Sequence, residues 1–435
     1  MALPYGFASP TEYFKECLIF LRKYQHLFNF PNTDLLLRNV LDKIDIDCLD
    51  DFDIFADDFE ISKIRCSYLL DFYENLSKLK VKYEEFVNKD LEFLIDVPLS
   101  VKKKHEIAYL AEEIDLLCKE TQCNTVVDFG SGLGYLDQQI FKKAGYNVLG
   151  IECNESHYVG AKKRQRKYHS DSIERVKYVK HSVTEDSYTN INEYIQDKFP
   201  SCNGFCITGL HACADLTIDA INIFLKMEKA KSLIIMPCCY HRIFKDESCK
   251  FKNFPLSDAL KDLYDEYSGA DLLTVPFLRL ATQPQNICKE KMEDLVFNLL
   301  ARAVLQVYSL KHNCRLKRNK RKTVRLKSIG NNFEEYVQDA IIGYTLIKNE
   351  IAEENKRQEF DKEYLYSIWR KIPQETFNKT AIFILLQNDL QPMFENFVLY
   401  DRLLYLQEKG IRNCKFKKIV NEKISPRCLA LLAQK

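Results

Sequence analysis

Three glycines at alternating positions follow an apolar strand and a carboxylate, a pattern suited to holding a ligand. The strand leads into Asp128, and the glycines come directly after it: Gly130, Gly132 and Gly134. A segment with apolar residues at helical spacing follows and stops at Gly145 after two lysines. Glycine lets the backbone approach a ligand closely, and the N-terminus of a helix offers free N–H groups. The stretch therefore predicts a strand, a tight turn and a helix around a binding site.

The spacing of the glycines indicates the class of ligand. The dinucleotide fingerprint G-x-G-x-x-G would need glycine where Tyr135 stands, so the spacing argues against a dehydrogenase. The pattern D-x-G-x-G-x-G is the form used by methyltransferases that bind S-adenosylmethionine (SAM). A second apolar strand ends at Glu152, whose carboxylate presents two oxygens that can accept both ribose hydroxyls. We therefore predict a SAM site formed by Asp128, the three glycines and Glu152, rather than a purely structural turn.

Two further segments carry side chains that could do chemistry. They are Gly209–Leu216 and Pro237–His241, each placed after a predicted strand, so both are expected at the rim where a methyl acceptor enters. Methyl transfer mainly needs positioning, plus a base when the acceptor carries a proton. His211 or His241 is the candidate base, and Asp215 is a candidate to orient the imidazole. The structural alternative is that His211 packs near the cofactor while His241 donates to a backbone carbonyl.

The same two segments raise the question of a metal site. Five side chains with soft nitrogen or sulfur ligands, a set that suits zinc, could converge there: His211, Cys213, Cys238, Cys239 and His241. Adjacent cysteines rarely bind the same ion, however, and the spacing matches no standard zinc site. We therefore predict no metal and interpret the thiols as lining the cofactor pocket.

The elements that must position these residues alternate between strand and helix. Five strands are predicted between Asn124 and Ile243, with helices between them, a pattern that specifies a parallel sheet covered on both faces. Two final strands, 414–420 and 428–433, are expected to complete the sheet as an antiparallel pair. The predicted fold class is α/β, with a Rossmann-like methyltransferase sheet, a helical N-terminal region and a large insertion before the last strands. The predicted regions are 1–95 (helical), 96–245 (SAM-binding core), 246–380 (mainly helical insertion) and 381–435 (completion of the core).

Outside the core the periodicity predicts several helices. In the N-terminal region they cover Tyr13–Phe28 and Ile64–Phe86, and in the insertion Glu293–Tyr308 and Asn332–Lys348. A long helix over Thr380–Lys409 is predicted to precede the last two strands.

Length and composition exclude several classes of protein. The chain has 435 residues, enough for two or three domains, and 46% hydrophobic residues, enough for a buried core. The net charge of +1 means that any surface for nucleic acid must be local. No apolar run approaches the roughly 18 residues that cross a bilayer, and no N-terminal signal segment is evident. The 16 cysteines follow no disulfide spacing, so the sequence predicts a reducing compartment, the cytoplasm or the nucleus.

One segment is strongly basic. Lys311–Lys327 contains nine basic residues and no acidic one. A solvated loop or a nuclear-import signal would explain it, and so would an RNA contact, since Arg and Lys neutralise phosphates. These interpretations are compatible, and the segment is the predicted RNA-binding surface. The basic run around Lys162–Lys167 is interpreted as the exposed face of a helix.

These motifs together resemble the methyltransferase-like protein 25 family, which includes the ribosomal RNA adenine dimethylase domain-containing proteins. The resemblance extends from about residue 100 to the end and rests on these segments: D-F-G-S-G-x-G at 128–134, G-L-H-x-C-x-D-L at 209–216, C-C-Y-H at 238–241, K-K-H-E at 103–106, F-P-L-S at 254–257, L-Y-D-R-L-L-Y-L-Q-E at 399–408 and S-P-R at 425–427. The histidine and cysteine elements are also similar to those of transfer-RNA 2′-O-methyltransferases. The resemblance implies a class I SAM fold, methyltransferase activity and RNA as the favoured substrate.

The resemblance also adds two cofactor-binding candidates and one restriction. The candidates are His105, within the upstream motif, and Ser182, which stands where many SAM enzymes carry an aspartate for the adenine amino group. The N-P-P-Y motif of adenine-N6 methyltransferases is absent after the fourth strand, which argues against adenine dimethylation. Two alternatives stay open: a methyltransferase acting on protein or a small molecule, and a non-catalytic scaffold with a SAM fold.

Overall fold

The computed structural model describes residues 3–46, 49–56, 58–267, 269–284, 291–320, 324, 330–349 and 357–435. The chain divides into two compact units. Unit one comprises residues 1–19, 79–285 and 391–435, and unit two comprises residues 20–78 and 286–390. This division differs from the four regions expected from the sequence, because the N-terminal region and the long C-terminal helix each contribute to both units.

Unit one is built on a mixed sheet. Within the described residues it has seven strands: β1 (Thr125–Phe129), β2 (Asn147–Glu152), β3 (Val176–Lys180), β4 (Phe205–Cys213), β5 (Ala230–Cys238), β9 (Asn413–Lys418) and β10 (Leu429–Gln434). Their order across the sheet is β3-β2-β1-β4-β5-β10-β9. Strands β1 to β5 run parallel, and β10 pairs antiparallel with both β5 and β9. The predicted α/β class and the antiparallel completion of the sheet are confirmed.

Helices cover both faces of this sheet, which explains why its central strands are apolar throughout. Every residue of β1 is buried, as expected for a parallel strand sandwiched between helices. Side chains cap several of these helices; Ser100, for example, accepts a hydrogen bond from the backbone N–H of Lys103. The helices that follow the strand–helix alternation are Val101–Thr121, Tyr135–Ala144, Glu155–Tyr168, Tyr188–Lys198 and Leu216–Lys226.

Hydrogen bonds hold the loop at residues 254–257 against the long C-terminal helix. Asp401, on the helix Gln374–Glu408, accepts hydrogen bonds from the backbone N–H groups of Leu256 and Ser257, both at 2.8 Å. Glu408, further along the same helix, accepts two more hydrogen bonds, from backbone N–H groups at the start of the helix Asp258–Glu266. The sequence motifs at 254–257 and 399–408 are thus joined by hydrogen bonds that stabilise the fold. The short helices Gly269–Leu272 and Val275–Leu280 complete this part.

Unit two combines helices with a small antiparallel sheet. The sheet has the order β6-β7-β8, with β6 at Cys314–Arg318, β7 at Tyr344–Lys348 and β8 at Arg357–Gln358. Aromatic residues fill its core, where the rings of Phe333 and Trp369 stack at 4.3 Å. The helices lying wholly or partly in this unit are Pro10–Lys23, Ser67–Leu79, Met292–Lys311, Phe333–Gly343, Lys362–Arg370 and the first half of Gln374–Glu408.

Three sequence expectations need correction here. The predicted helix Asn332–Lys348 ends at Gly343, because Tyr344–Lys348 pairs with β6 as a strand. The predicted helix Ile64–Phe86 ends at Leu79, where the chain passes into unit one. The basic segment is also not simply a loop, since it begins in a helix and continues as β6. Its residues 321–323 and 325–327 lie outside the described residues.

Within the described residues, no helix combines the length and apolarity that crossing a bilayer requires.

Candidate functional site

The glycine turn after β1 has the backbone conformation that its sequence predicts. Gly130, Gly132 and Gly134 have φ angles of +78°, +60° and +76°, a left-handed region that other residues seldom adopt. The N–H of Gly130 donates to the carbonyl of Ile151 at 2.9 Å, which holds the turn against β2. Gly134 is the N-cap of the helix Tyr135–Ala144, so the turn delivers the chain into that helix.

Gly132 faces open space. A Cβ atom built on it would have no neighbour nearer than the carbonyl oxygen of Gly130, at 4.0 Å. A Cβ on Gly134 would instead lie 2.1 Å from the hydroxyl of Tyr178. The turn is therefore packed against protein on one side and free on the other, as a cofactor cradle requires.

Glu152 lies beside this free side at the carboxyl end of β2. Its two carboxylate oxygens accept hydrogen bonds from the backbone N–H groups of Gly132, at 2.8 Å, and Asn154, at 2.7 Å. The side chain is nearly buried yet stays hydrogen-bonded to the glycine turn. This geometry brings together the carboxylate and the glycines that the sequence assigned to the cofactor.

Asp128 lies beneath the turn rather than in it. It is buried, as is the carboxyl group of Asp137 on the helix that follows the turn, and the two groups interact electrostatically. Burial raises the pKa of Asp128 to about 6, and burial together with the Asp128 charge raises the pKa of Asp137 well above its usual range. Burial therefore favours the protonated form of Asp137 beneath the glycine turn.

Strand β4, which pairs with β1 on the side opposite β2, carries the candidate base. The pairing of β4 with β5 shifts between Gly209 and Ala212, so a bulge interrupts the strand at His211. The imidazole Nε2 of His211 lies 3.3 Å from a carboxylate oxygen of Glu106, on the helix Val101–Thr121. The other carboxylate oxygen of Glu106 accepts a hydrogen bond from the hydroxyl of Ser425 at 2.7 Å. Histidine, carboxylate and hydroxyl thus form a connected chain.

Glu106 is a buried carboxylate that stays ionised. Burial raises its pKa, but the hydrogen bonds from His211 and Ser425 outweigh burial and hold the pKa at about 2. The carboxylate beside His211 is therefore that of Glu106, and not that of Asp215 as predicted. The Asp215 carboxylate instead accepts from the N–H of Phe244, at 2.8 Å, and from the side-chain amide of Asn253, at 2.7 Å. Asp215 fixes the chain after β5.

Three other predicted site residues fall in different surroundings. His105 accepts a hydrogen bond from the N–H of Asn421 at 3.0 Å and packs on the ring of Tyr109 at 4.5 Å, and its cofactor-binding role stays a prediction. His241 places Nδ1 3.5 Å from the hydroxyl of Thr282 and donates to no backbone carbonyl among its described contacts. Ser182 is exposed two residues beyond β3, at the correct edge of the sheet, and its adenine-binding role stays a prediction.

Two residues near the site, Lys103 and Glu106, were not predicted from the sequence. Lys103 is largely withdrawn from solvent, and burial lowers its pKa while the charges of Glu106 and Asp128 raise it. Its positive charge thus interacts with Asp128, a residue of β1. The motif K-K-H-E was the available signal, but helical spacing alone could not show which of its four side chains turns towards the sheet.

Three thiols meet where β4 and β5 end. The Sγ atoms of Cys213, Cys238 and Cys239 all lie within 4.8 Å of one another, and those of Cys213 and Cys238 are 3.1 Å apart. The hydrogen bond from Cys238 lowers the pKa of Cys213 to about 6, although burial opposes it, while the same bond and burial raise the pKa of Cys238. The predicted convergence of the cysteines is thus present, without either histidine in this group.

Comparison with known proteins agrees with this geometry. Residues 102–246, which contain the turn, Glu152, His211 and the thiols, match the family model described as "Methyltransferase domain". Residues 102–246 form a class I methyltransferase domain. SAM is the cofactor that this domain class indicates, and the open side of Gly132 with the Glu152 carboxylate beside it fits such a ligand.

Two curated proteins are similar to more than half of the chain. The "Probable methyltransferase-like protein 25" of Mus musculus is 24% identical over 57% of this chain, and that of Homo sapiens is 26% identical over 63%. The chain spans 40% and 43% of the length of these curated relatives. Among solved structures, the O-methyltransferase TomG from Streptomyces achromogenes is 12% identical and covers 33% of this chain and 66% of its own, with a TM-score of 0.24, too low to carry an argument.

Proposed function

We propose that the protein is a SAM-dependent methyltransferase and that its acceptor is RNA. The observation that carries the proposal is the turn at Gly132, which is free on one face and bonded to the Glu152 carboxylate at the edge where ligands of such sheets bind. A decayed site in a scaffold protein would have no need to preserve a backbone with three positive φ angles around an open side.

The residues present would hold SAM with distinct groups. Glu152 would accept from the ribose hydroxyls, and the glycine turn would pass beneath the methionine portion. Lys103, whose charge interacts with Asp128, supplies the positive charge that suits the methionine carboxylate. When bound, SAM supplies an activated methyl group, and the chain itself has to position the acceptor and remove any proton.

His211 is the proposed proton acceptor. The ionised carboxylate of Glu106, fixed by Ser425, lies 3.3 Å from Nε2 and would stabilise the imidazolium as it forms. His241 is the weaker candidate, because its ring nitrogen lies beside Thr282 and its pKa is lowered by burial and the charges of Arg279 and Arg242.

RNA is favoured as the acceptor by the basic segment of unit two. In its described part the basic side chains are exposed, which suits contact with phosphates: Lys311, Arg315, Lys317, Arg318 and Lys320. Transfer to a protein or a small molecule is the second candidate, and the family match is equally compatible with it. Free thiols throughout the described residues support action in a reducing compartment, the cytoplasm or the nucleus.

The first test is calorimetric titration of the full chain with SAM. The wild type is expected to bind with micromolar affinity, and Gly132→Arg and Glu152→Ala are expected to lose binding. The matched control is Gly145→Arg: Gly145 also has a positive φ, +68°, and also faces open space, but it lies at the far end of the helix after the turn. Loss of binding in this control alone, or no heat from folded wild type, would contradict the cofactor site.

The second test identifies the acceptor. The protein would be incubated with SAM labelled in its methyl group and with separated RNA and protein fractions from cells. Label in RNA, lost in the Glu152→Ala variant, is the expected result. Label confined to protein or to small molecules would reject RNA, and the absence of all transfer by a SAM-binding protein would favour the scaffold.

A further inference from the structure

The thiol cluster lies at one point of the sheet because two strands end in register. Cys213 is the last residue of β4 and pairs directly with Cys238, the last residue of β5. Partners in adjacent parallel strands project their side chains to the same face, so these two thiols necessarily meet. The N–H of Ala214 donates to the carbonyl of Cys238 at 3.0 Å, which fixes the chain just beyond the pair.

The third thiol joins the pair through an uncommon backbone conformation. Successive side chains of a strand point to opposite faces, which is why adjacent cysteines seldom share an ion. Cys239 has φ +53° and ψ +41°, in the left-handed region, so the chain turns at this residue and the alternation is broken. As a result, the sulfur atoms of Cys238 and Cys239 both lie close to the sulfur atom of Cys213. Holding a non-glycine residue in this conformation costs about 1 kcal/mol or more. This strained residue lies where the three thiols converge.

We propose that Cys213, Cys238 and Cys239 bind one zinc ion. Three thiolates around tetrahedral zinc, each at about 2.3 Å, stand about 3.8 Å from one another. The sulfur atoms here, all within 4.8 Å, reach that arrangement by rotation of side chains. Sulfur ligands select a soft or borderline ion such as zinc over calcium or magnesium. This corrects the objection from adjacent cysteines, which holds only for an extended backbone.

Three protein ligands leave the fourth position of the ion open. Closed structural zinc sites use four protein ligands, whereas sites with three keep one position for water or for an incoming group. The cluster begins two residues after His211, within the methyltransferase domain, and Cys213 and Cys239 are accessible to solvent there. The open position would accept an atom of the methyl acceptor; only this last point rests on the proposed function.

The test is metal content of the full chain, purified under reducing conditions without chelators and resupplied with zinc. Elemental analysis is expected to find about one zinc ion per chain. Cys213→Ser, Cys238→Ser and Cys239→Ser are each expected to lower the zinc content, whereas the control Cys249→Ser, an exposed cysteine outside the cluster, retains it. Reconstitution with cobalt should produce thiolate charge-transfer absorption in the wild type and the control, and weaker absorption in the three variants.

Three results would overturn the proposal. One is folded wild-type protein that holds no stoichiometric zinc and shows no cobalt–thiolate absorption; another is zinc content unchanged in all three cluster variants. A Cys213–Cys238 disulfide in freshly isolated, unreduced protein would likewise replace the metal site with a redox pair. Circular dichroism of each variant separates loss of metal from loss of fold. SAM titration of the same preparations keeps the two proposals distinct, since zinc and SAM binding can fail independently.

Discussion

Gly132 and Gly134 both have positive φ angles, yet side chains are excluded from the two positions for different reasons. At Gly134 the obstacle is protein, because a Cβ would overlap the hydroxyl of Tyr178. At Gly132 there is no such obstacle, and the space beyond it is where a ligand would lie. Substitution at Gly134 therefore tests packing, and substitution at Gly132 tests the cofactor site.

The role of His211 leads to a kinetic prediction. His211→Asn should lower the rate of methyl transfer by about a hundredfold to ten-thousandfold, the usual contribution of a general base. SAM affinity should be unchanged, because the ring contacts Glu106 rather than the glycine turn. The measurement is single-turnover transfer alongside SAM titration. A His241→Asn variant is the control, and a larger loss in that control would move the base to His241.

Glu106 leads to a prediction about stability. Its folded-state pKa of about 2 is below the ordinary value of 4.5, so ionised Glu106 stabilises the fold above pH 4.5 and this contribution is lost as pH falls towards 2. Glu106→Gln should therefore cost about 1.5–3 kcal/mol at neutral pH, the range for hydrogen bonds to a charged group. The difference from wild type should narrow under acid conditions.

Urea unfolding at neutral pH and at about pH 3 measures this effect. Glu120→Gln is the control, since Glu120 is exposed near the end of the same helix and should change stability little at either pH. A difference between Glu106→Gln and wild type that stays constant with pH would show that the carboxylate charge is not what stabilises this position.

Among the elements, the long helix Gln374–Glu408 is tied to the ends of β5 and β10 by a buried network. Glu395 on this helix accepts a hydrogen bond from the hydroxyl of Tyr240 at 3.1 Å and forms an ion pair with Arg427. Arg427 also donates to the carbonyl of Gln283 at 2.7 Å. The guanidinium of Arg402, from the same helix, lies 4.9 Å from the centre of the Tyr240 ring. The tyrosine of C-C-Y-H and the arginine of S-P-R thus serve packing beside the site.

This network should show strong coupling. Arg427→Met leaves the Glu395 carboxylate buried and unpaired, which should cost about 3–5 kcal/mol of stability. Glu395→Gln in the Arg427→Met background should recover part of that loss, because no buried charge then remains. A double-mutant cycle with urea unfolding measures the coupling, and purely additive losses would contradict it.

Across the whole molecule, positive charge is concentrated in particular segments although the net charge is small. The net charge is +1, yet the described part of Lys311–Lys327 exposes five cations in unit two. A second basic face lies on the helix Glu155–Tyr168 of unit one, where Lys163, Arg166 and Lys167 are exposed as predicted. Two separate surfaces can therefore contact phosphates, and affinity alone would not tell them apart.

Salt dependence distinguishes the basic segment from other surfaces. Lys317→Glu with Lys320→Glu should weaken RNA binding and reduce the slope of log affinity against log salt by about one per lost phosphate contact. The control is Lys362→Glu with Lys371→Glu, which makes the same charge change at exposed positions of the same unit. Equal effects of the two pairs would show that general charge, rather than the basic segment, governs binding.

The sequence by itself determined the sheet and the cofactor half of the site. Alternating apolar runs and glycines fix local conformation, so β2 ends at Glu152 as predicted, and Glu152 lies beside the turn formed by Gly130, Gly132 and Gly134. Such features depend on residues close in the chain, where backbone preferences and periodicity act directly.

Only the tertiary structure decided which distant side chains become partners. Glu106 replaces Asp215 beside His211 because a helix 105 residues earlier packs against the bulge in β4. Tyr344–Lys348 is a strand because β6 offers it hydrogen bonds that no local pattern records. Cys239 joins the thiols of Cys213 and Cys238 because its own backbone adopts a left-handed conformation. In each case the deciding energy comes from contacts between segments far apart in sequence, which propensity and spacing do not encode.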